Sequence, residues 1–296
     1  MALKPFQKNK FIDEDLREEE AIELAEQLKA QIREGGPKQN KKEAINRMIT
    51  GLSDNRGLVR RAFAEGLGVV GKDALPNLIK VLLHSKNVIA RRAAAKTLKL
   101  VGDPKALPHL LKALLNDPDP VVQGSSAGAM AIFGKEAIDY LLKVLTDPKT
   151  SAMQSGLASW ALIFASADAL ESLQKAATSK NVLIRSTAIR ALGENTEFLK
   201  DDEIRHLLIN SLEDTSSEVR AEAVRVIKNL GDKLLVEDLL MKKLSDDNSS
   251  VRKSAALSLM KINSQTSIKL LKEMAASEKD LSVLTVINLA IKKILN

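Results

Sequence analysis

Cysteine is absent from this chain of 296 residues, so it offers no disulfide framework, no thiolate metal site and no cysteine nucleophile of its own. Histidine is scarce. His84, His109 and His206 fall in different parts of the sequence, and no metal centre is expected from them. Aromatic residues make up 3%, with a single Trp and a single Tyr, which disfavours base stacking as the main mode of binding. No apolar run approaches membrane-spanning length, and Met1 to Lys10 lacks the apolar core of a secretion signal. These absences predict a soluble, cytoplasmic protein without membrane insertion. A Gly-rich phosphate loop, a His-Glu metal helix and a Ser/His/Asp ordering are missing as well.

What the chain does contain is positive charge and repetition. Lys and Arg number 45 against 38 Asp and Glu, a net charge of +7 that favours anionic partners, although most lysines on outer helix faces serve solubility. Arginine recurs at Arg60, Arg91, Arg185, Arg220 and Arg252, with Gln123 and Gln154 in the two vacant registers, at steps of 31 to 35 residues. An apolar stretch precedes each position. A polar turn follows it, often with Asp six residues before the Arg or Gln (Asp54, Asp117, Asp214, Asp246). An Ala-rich run comes next, frequently ended by glycine at Gly71, Gly102, Gly134, Gly193 or Gly231.

Such a period marks a helical solenoid, in which no unit buries its apolar face without a neighbour. The expected fold is all-α, a right-handed α-solenoid of HEAT-like helical hairpins with N- and C-terminal capping helices. Residues 1–43 are expected to form a capping helix and linker, acidic from Asp13 to Glu20 and broken at Gly35-Gly36-Pro37. Residues 44–296 are expected to form about eight repeats in one continuous array. The repeated Asp and Arg are assigned to ladders between neighbouring units, and chemistry is sought elsewhere.

In such an array the second helices line the concave surface, and they can be compared register by register. Five residues beyond each Arg or Gln lie Glu65, Lys96, Gly128, Ser159, Arg190, Arg225 and Leu257. The one-residue column begins Arg61, Arg92, Gly124 and Ser155, and the eight-residue column includes Lys99 and Lys228. Small residues at Gly124, Gly128 and Ser159 are thus flanked by Arg92, Lys96 and Lys99 on one side and by Arg190, Arg225 and Lys228 on the other. Helical glycines cost about 1 kcal/mol each relative to Ala, so either close helix packing or an open groove must explain them. A small floor with cationic walls suits an elongated apolar ligand bearing carboxylates, or an acidic protein surface. Trp160 is either core or an edge of that groove. Glu65, the single acidic member of its column, is the one catalytic candidate.

Leu52 to Arg60, Ala90 to Leu98, Leu115 to Ser126 and Gly156 to Leu162 resemble the lyase-type HEAT-like repeats of cyanobacterial phycobilisome proteins, the E/F-type phycobilin lyases and related phycobilisome degradation proteins. The resemblance implies a phycobilin lyase with no intrinsic cofactor. Its ligand or substrate would be an open-chain tetrapyrrole, attached through a thioether to a cysteine of an acidic phycobiliprotein subunit, phycoerythrin among the acceptors. It further implies work near thylakoid-associated phycobilisomes, with a second HEAT-repeat lyase subunit as an additional partner. A non-catalytic adaptor or chaperone for phycobilisome assembly or degradation is the alternative. Nucleic acid is not an expected partner, because the small residues at Gly124 and Gly128 interrupt any basic track.

Overall fold

Polar turn residues dictate where the helices begin. In the computed structural model, which describes residues 16–34, 38–164 and 167–296, the side chains of Asn87, Asp119, Asn181, Asn248 and Asp280 each accept from free amides of the helix that follows. The predicted break at Gly35-Gly36-Pro37 and the acidic stretch from Asp13 to Asp15 lie outside the described residues. Pro76 and Pro108 sit in the first turn of their helices, where a missing amide costs nothing.

Helix α1 (Glu18–Arg33) precedes paired helices. The pairs are α2 (Lys38–Gly51) with α3 (Gly57–Val70), α4 (Leu75–His84) with α5 (Val88–Val101), α6 (Leu107–Asn116) with α7 (Pro120–Met130), and α8 (Lys135–Thr146) with α9 (Ala152–Ile163). There follow α10 (Leu170–Ala177) with α11 (Val182–Glu194), α12 (Asp202–Asn210) with α13 (Ser217–Val226), α14 (Lys233–Lys243) with α15 (Ser249–Lys261), and α16 (Ile268–Ser277) with α17 (Leu281–Leu295). The described residues contain helices and turns and no strand. The expected linker end at residue 43 falls inside α2.

The chain divides into two compact units. One comprises the residues up to Tyr140 together with Thr150–Ala161, the other Leu141–Lys149 with Leu162–Asn296. Within the first, α3 packs on α5 and α5 on α7, while α1 packs on α3 and so takes a place among the second helices. Within the second, α11, α13, α15 and α17 pack in sequence. Leu78, Leu82, Leu110 and Leu114 of the first helices are fully buried, as are Ile204, Leu208 and Leu240 in the second unit. Each contributes about 1.5–3 kcal/mol by leaving water. Of the glycines expected to end helices, Gly71, Gly102, Gly134 and Gly231 adopt positive φ. Gly193 does not: it lies inside α11, where a methyl group would run into Val226 of α13, so its smallness serves helix approach.

Four of the recurrent arginines, Arg91, Arg185, Arg220 and Arg252, bind in two directions at once. Arg220 donates through Nε and Nη2 to both carboxylate oxygens of Asp246 in the next turn, at 2.8 Å each, and through Nη1 to the Asp214 carbonyl of its own turn at 2.9 Å. Arg91 pairs in the same way with Asp117 and the Ser85 carbonyl, and Arg185 with Asp214 and the Ser179 carbonyl. The last rung is not legible from the Asp pattern, because Arg252 binds Glu278 at 2.7 and 2.8 Å. Arg252 donation, aided by the Asp280 amide, lowers the Glu278 carboxyl to about 2. A depressed folded-state pKa stabilises above the unfolded value near 4.5 and loses that contribution as pH falls towards 2. Glu278→Gln is therefore expected to cost about 2 kcal/mol at neutral pH in urea unfolding. The gap to the parent should narrow progressively below pH 4.5.

Candidate functional site

Where each second helix starts decides which of its side chains reach the open face. Arg60, Arg91, Gln123, Arg185, Arg220 and Arg252 all stand four residues after the residue that caps their helix. Helix α9 breaks the expected register. The Ser151 hydroxyl accepts the Gln154 amide at 3.3 Å, the Gln154 carboxamide oxygen accepts the Ser151 amide at 2.9 Å, and the Ser155 amide donates to the Ser151 carbonyl at 3.0 Å. Ser151 is thus the cap and Gln154 its reciprocal partner in a capping box. Gln154 is not an arginine equivalent, and its amide reaches the Leu115 carbonyl at 2.8 Å. Ser155 holds the arginine register.

The slip has a cause in the turn. In the other hairpins the cap stands two positions after the turn's first acceptor, as with Asp119 after Asp117 or Asn248 after Asp246, whereas Ser151 stands four positions after Asp147. Every α9 side chain therefore moves one position relative to the expected columns. Ser159, predicted to line the groove, is buried. Trp160 takes its place in the exposed column beside Gly128 and is 45% exposed, so it is not core. Gly156 replaces Ser155 beside Gly124 and is exposed.

The glycines of α7 and α9 are not there for close helix approach. A methyl on Gly124 would lie 3.7 Å from Leu157 Cδ2, an ordinary contact, and one on Gly156 would meet nothing within 4 Å. One on Gly128 would lie 3.4 and 3.6 Å from Cζ3 and Cη2 of the Trp160 ring. The result is a low floor with an indole along it, and Val121 and Met153 are exposed seven residues before Gly128 and Trp160 on the same two helices.

The predicted charged groups of the first unit lie on α3 and α5. On α5, Lys96 and Lys99 are exposed, and no hydrogen bond or ion pair engages them among the described residues. Arg92 is held at 3.2 Å by Asp119, the cap of α7. Glu65 lies on α3, separated from Trp160 by α5 and α7, and its carboxylate is locked to Arg61 at 2.7 Å. The structure thus sets the catalytic candidate apart from the floor.

Arg190, Arg225 and Lys228 belong to the second unit and form a cluster of their own. Arg190 and Arg225 both donate to Oε1 of the buried Glu222, at 3.0 and 2.6 Å, which neutralises part of the expected cationic wall. Lys228 donates to the Arg225 carbonyl at 2.9 Å, and burial lowers its ammonium below the usual lysine value. A shallow depression elsewhere in this unit, lined by Glu203, His206 and Asn210, contains none of the predicted residues.

Comparison with known proteins accords with this architecture. A model of HEAT repeats matches residues 45–131, 75–163 and 204–292. The bilin biosynthesis protein MpeU of Synechococcus sp. (strain WH8020) is 43% identical over 267 residues, covering 90% of each chain. The chain belongs to the phycobilisome lyase-type HEAT-repeat family. The crystal structure of Kap121p shares the solenoid fold, with a TM-score of 0.56 at 13% identity over 92% of this chain and 37% of that one. The complex of CpcE and CpcF of phycocyanin lyase from Nostoc sp. PCC7120 is 23% identical over 62% of this chain and 96% of that chain, with a TM-score of 0.31. Among the described residues no helix is long and apolar enough to cross a membrane.

In this member of the family, Glu222 escaped the sequence reading, and the register of Trp160 was miscounted by one. Glu222 carried a signal, since it stands three residues before Arg225 and one repeat beyond Arg190. The position of Trp160 was also encoded, in Ser151-Ala152-Met153-Gln154, which is a capping-box signature. The space at the glycines sets a direct test. Gly124→Ala is expected to raise stability by about 0.5–1 kcal/mol, because the helix gains propensity without a clash. Gly193→Ala should lower it by about 1–3 kcal/mol through the collision with Val226. Thermal melts of the two variants would show opposite shifts.

Proposed function

We propose that the chain is a phycobilin lyase that binds an open-chain tetrapyrrole and a phycobiliprotein subunit and promotes thioether formation on a cysteine of that subunit. The observation that carries this reading is the 43% identity to a bilin biosynthesis protein across 90% of both chains. The floor of α7 and α9 supports it. An exposed indole beside Gly128 gives a flat conjugated ligand a surface to lie on. Lys96 and Lys99 stand on the next helix as partners for carboxylates.

The reaction asks little of this chain beyond position. The acceptor's thiol adds across a double bond at ring A: the carbon–sulfur bond forms, the double bond becomes single, and the thiol proton passes to the neighbouring carbon. Atoms and electrons balance without an oxidant. The nucleophile comes from the partner, since the chain has no cysteine. Holding pigment and thiol together supplies the entropic part of the barrier. Glu65 has no role in this scheme. A second subunit of the same family and a place near phycobilisomes are compatible with it and belong to the same proposal.

Trp160 is the only tryptophan, so its fluorescence reports on the floor alone. Titration with phycoerythrobilin and phycocyanobilin should give saturable quenching. Trp160→Leu, followed by pigment absorbance, and Lys96→Glu should each weaken binding roughly tenfold. If neither pigment binds while an apo-phycobiliprotein subunit still does, the adaptor reading takes over.

A further inference from the structure

Three exposed apolar side chains of the first unit take no part in the floor around Trp160. Val69 on α3, Leu100 on α5 and Ile132 just after α7 are 41, 50 and 42% exposed. Each stands nine residues beyond the arginine register of its own helix, so they repeat at one height on consecutive packed helices. Leu100 seats against the backbone beside Val69, where a methyl on Gly68 would lie 3.0 Å from Leu100 Cβ. In the second unit the same register carries Phe164, exposed as well, and then Glu194, Asn229 and Lys261, so the repeat itself does not require apolar residues there. Lys99 adjoins Leu100 in sequence and Lys96 stands one turn earlier, both exposed and without a partner among the described residues.

Helices packed side by side lie about 8–10 Å apart. A rise of about 1.5 Å per residue means that seven residues of a crossing helix cover about 10.5 Å. A helix laid across α3, α5 and the end of α7 would therefore meet the row once every two of its own turns. We infer that Val69, Leu100 and Ile132 form a docking rail for one amphipathic helix of a separate acidic protein. Its apolar residues at i, i+7 and i+14 rest on the three side chains, and its flanking carboxylates face Lys96 and Lys99. The charge of those lysines selects an acidic helix over a basic one. The inference shares Lys96 and Lys99 with the pigment reading, but its apolar contacts lie outside the floor of α7 and α9.

The probe is a synthetic acidic helix about three heptads long, with Leu at i, i+7 and i+14 and Glu beside them. Its control has the same composition with the leucines at i, i+5 and i+10. Fluorescence anisotropy with the full chain should show saturable, salt-sensitive binding of the first peptide only. Leu100→Glu and Lys99→Glu should each weaken that binding roughly tenfold. Circular dichroism establishes that both variants fold, and Lys99→Glu alone decides the matter if Leu100→Glu does not. Equal binding of both peptides, or of neither, overturns the proposal. So does Leu100-dependent dimerisation in sedimentation, which would assign the row to a second copy. A phycobilin that shifts the Leu100 and Ile132 methyl resonances as the peptide does would assign it to the pigment site and equally sink the inference.

Discussion

The guanidinium fork between successive turns is the interaction on which the rest depends. A hairpin of two short helices has no fixed relation to the next one beyond the fit of its leucines. The arginine supplies that relation by gripping the following turn's carboxylate with two parallel hydrogen bonds and its own turn's carbonyl with a third. These carboxylates are nearly buried, so the pairing is under low screening and cannot be broken without leaving a charge stranded. The fork therefore fixes both the spacing of neighbouring hairpins and the height at which each second helix begins. Columns of side chains have meaning only because that height is shared.

Among the described residues the fork is incomplete in α3, where Arg60 reaches only the Asp54 carbonyl of its own turn, and it is missing from two consecutive helices, α7 and α9. In α7 the position belongs to Gln123, whose amide reaches the Asp117 carbonyl at 2.7 Å while its buried oxygen has no partner among the described residues. In α9 it belongs to Ser155. Without the fork to set its height, α9 is placed by its capping box, and the exposed face there carries Gly124, Gly128, Gly156 and Trp160 instead of charge. Loss of regularity and appearance of an unusual surface coincide in the same pair of helices. This is the pattern expected when a scaffold is locally released from structural duty.

Much of this was legible in the sequence, for reasons particular residues make plain. The Arg period revealed the hairpins because each arginine must meet a turn, and turns recur with the repeat. Gly71, Gly102, Gly134 and Gly231 ended helices as their composition suggested, because positive φ favours glycine. Gly193 misled because smallness also serves close approach, and sequence alone does not separate the two uses. Counting along the chain failed at α9, where Gln154 imitates the substitution of Gln123 for Arg while doing a different job. Arg190 and Arg225 looked like free cations because Glu222, their shared partner, sits on an inward position of the helix.

The turn from Asp147 to Ser151 gives the chain a form of control that substitutions do not reach. Each residue added to or removed from a turn rotates the helix behind it by roughly 100° about its axis. Connecting segments are ordinarily the places where a protein tolerates changes of length. Here the length is a phase setting. It decides whether the indole of Trp160 faces outward and Ala161 inward, or the reverse. A one-residue deletion in this loop would act as a core mutation and a surface mutation together, although it touches neither. Two relatives that agree at every residue of α9 and differ only in this turn would present different faces to whatever approaches them.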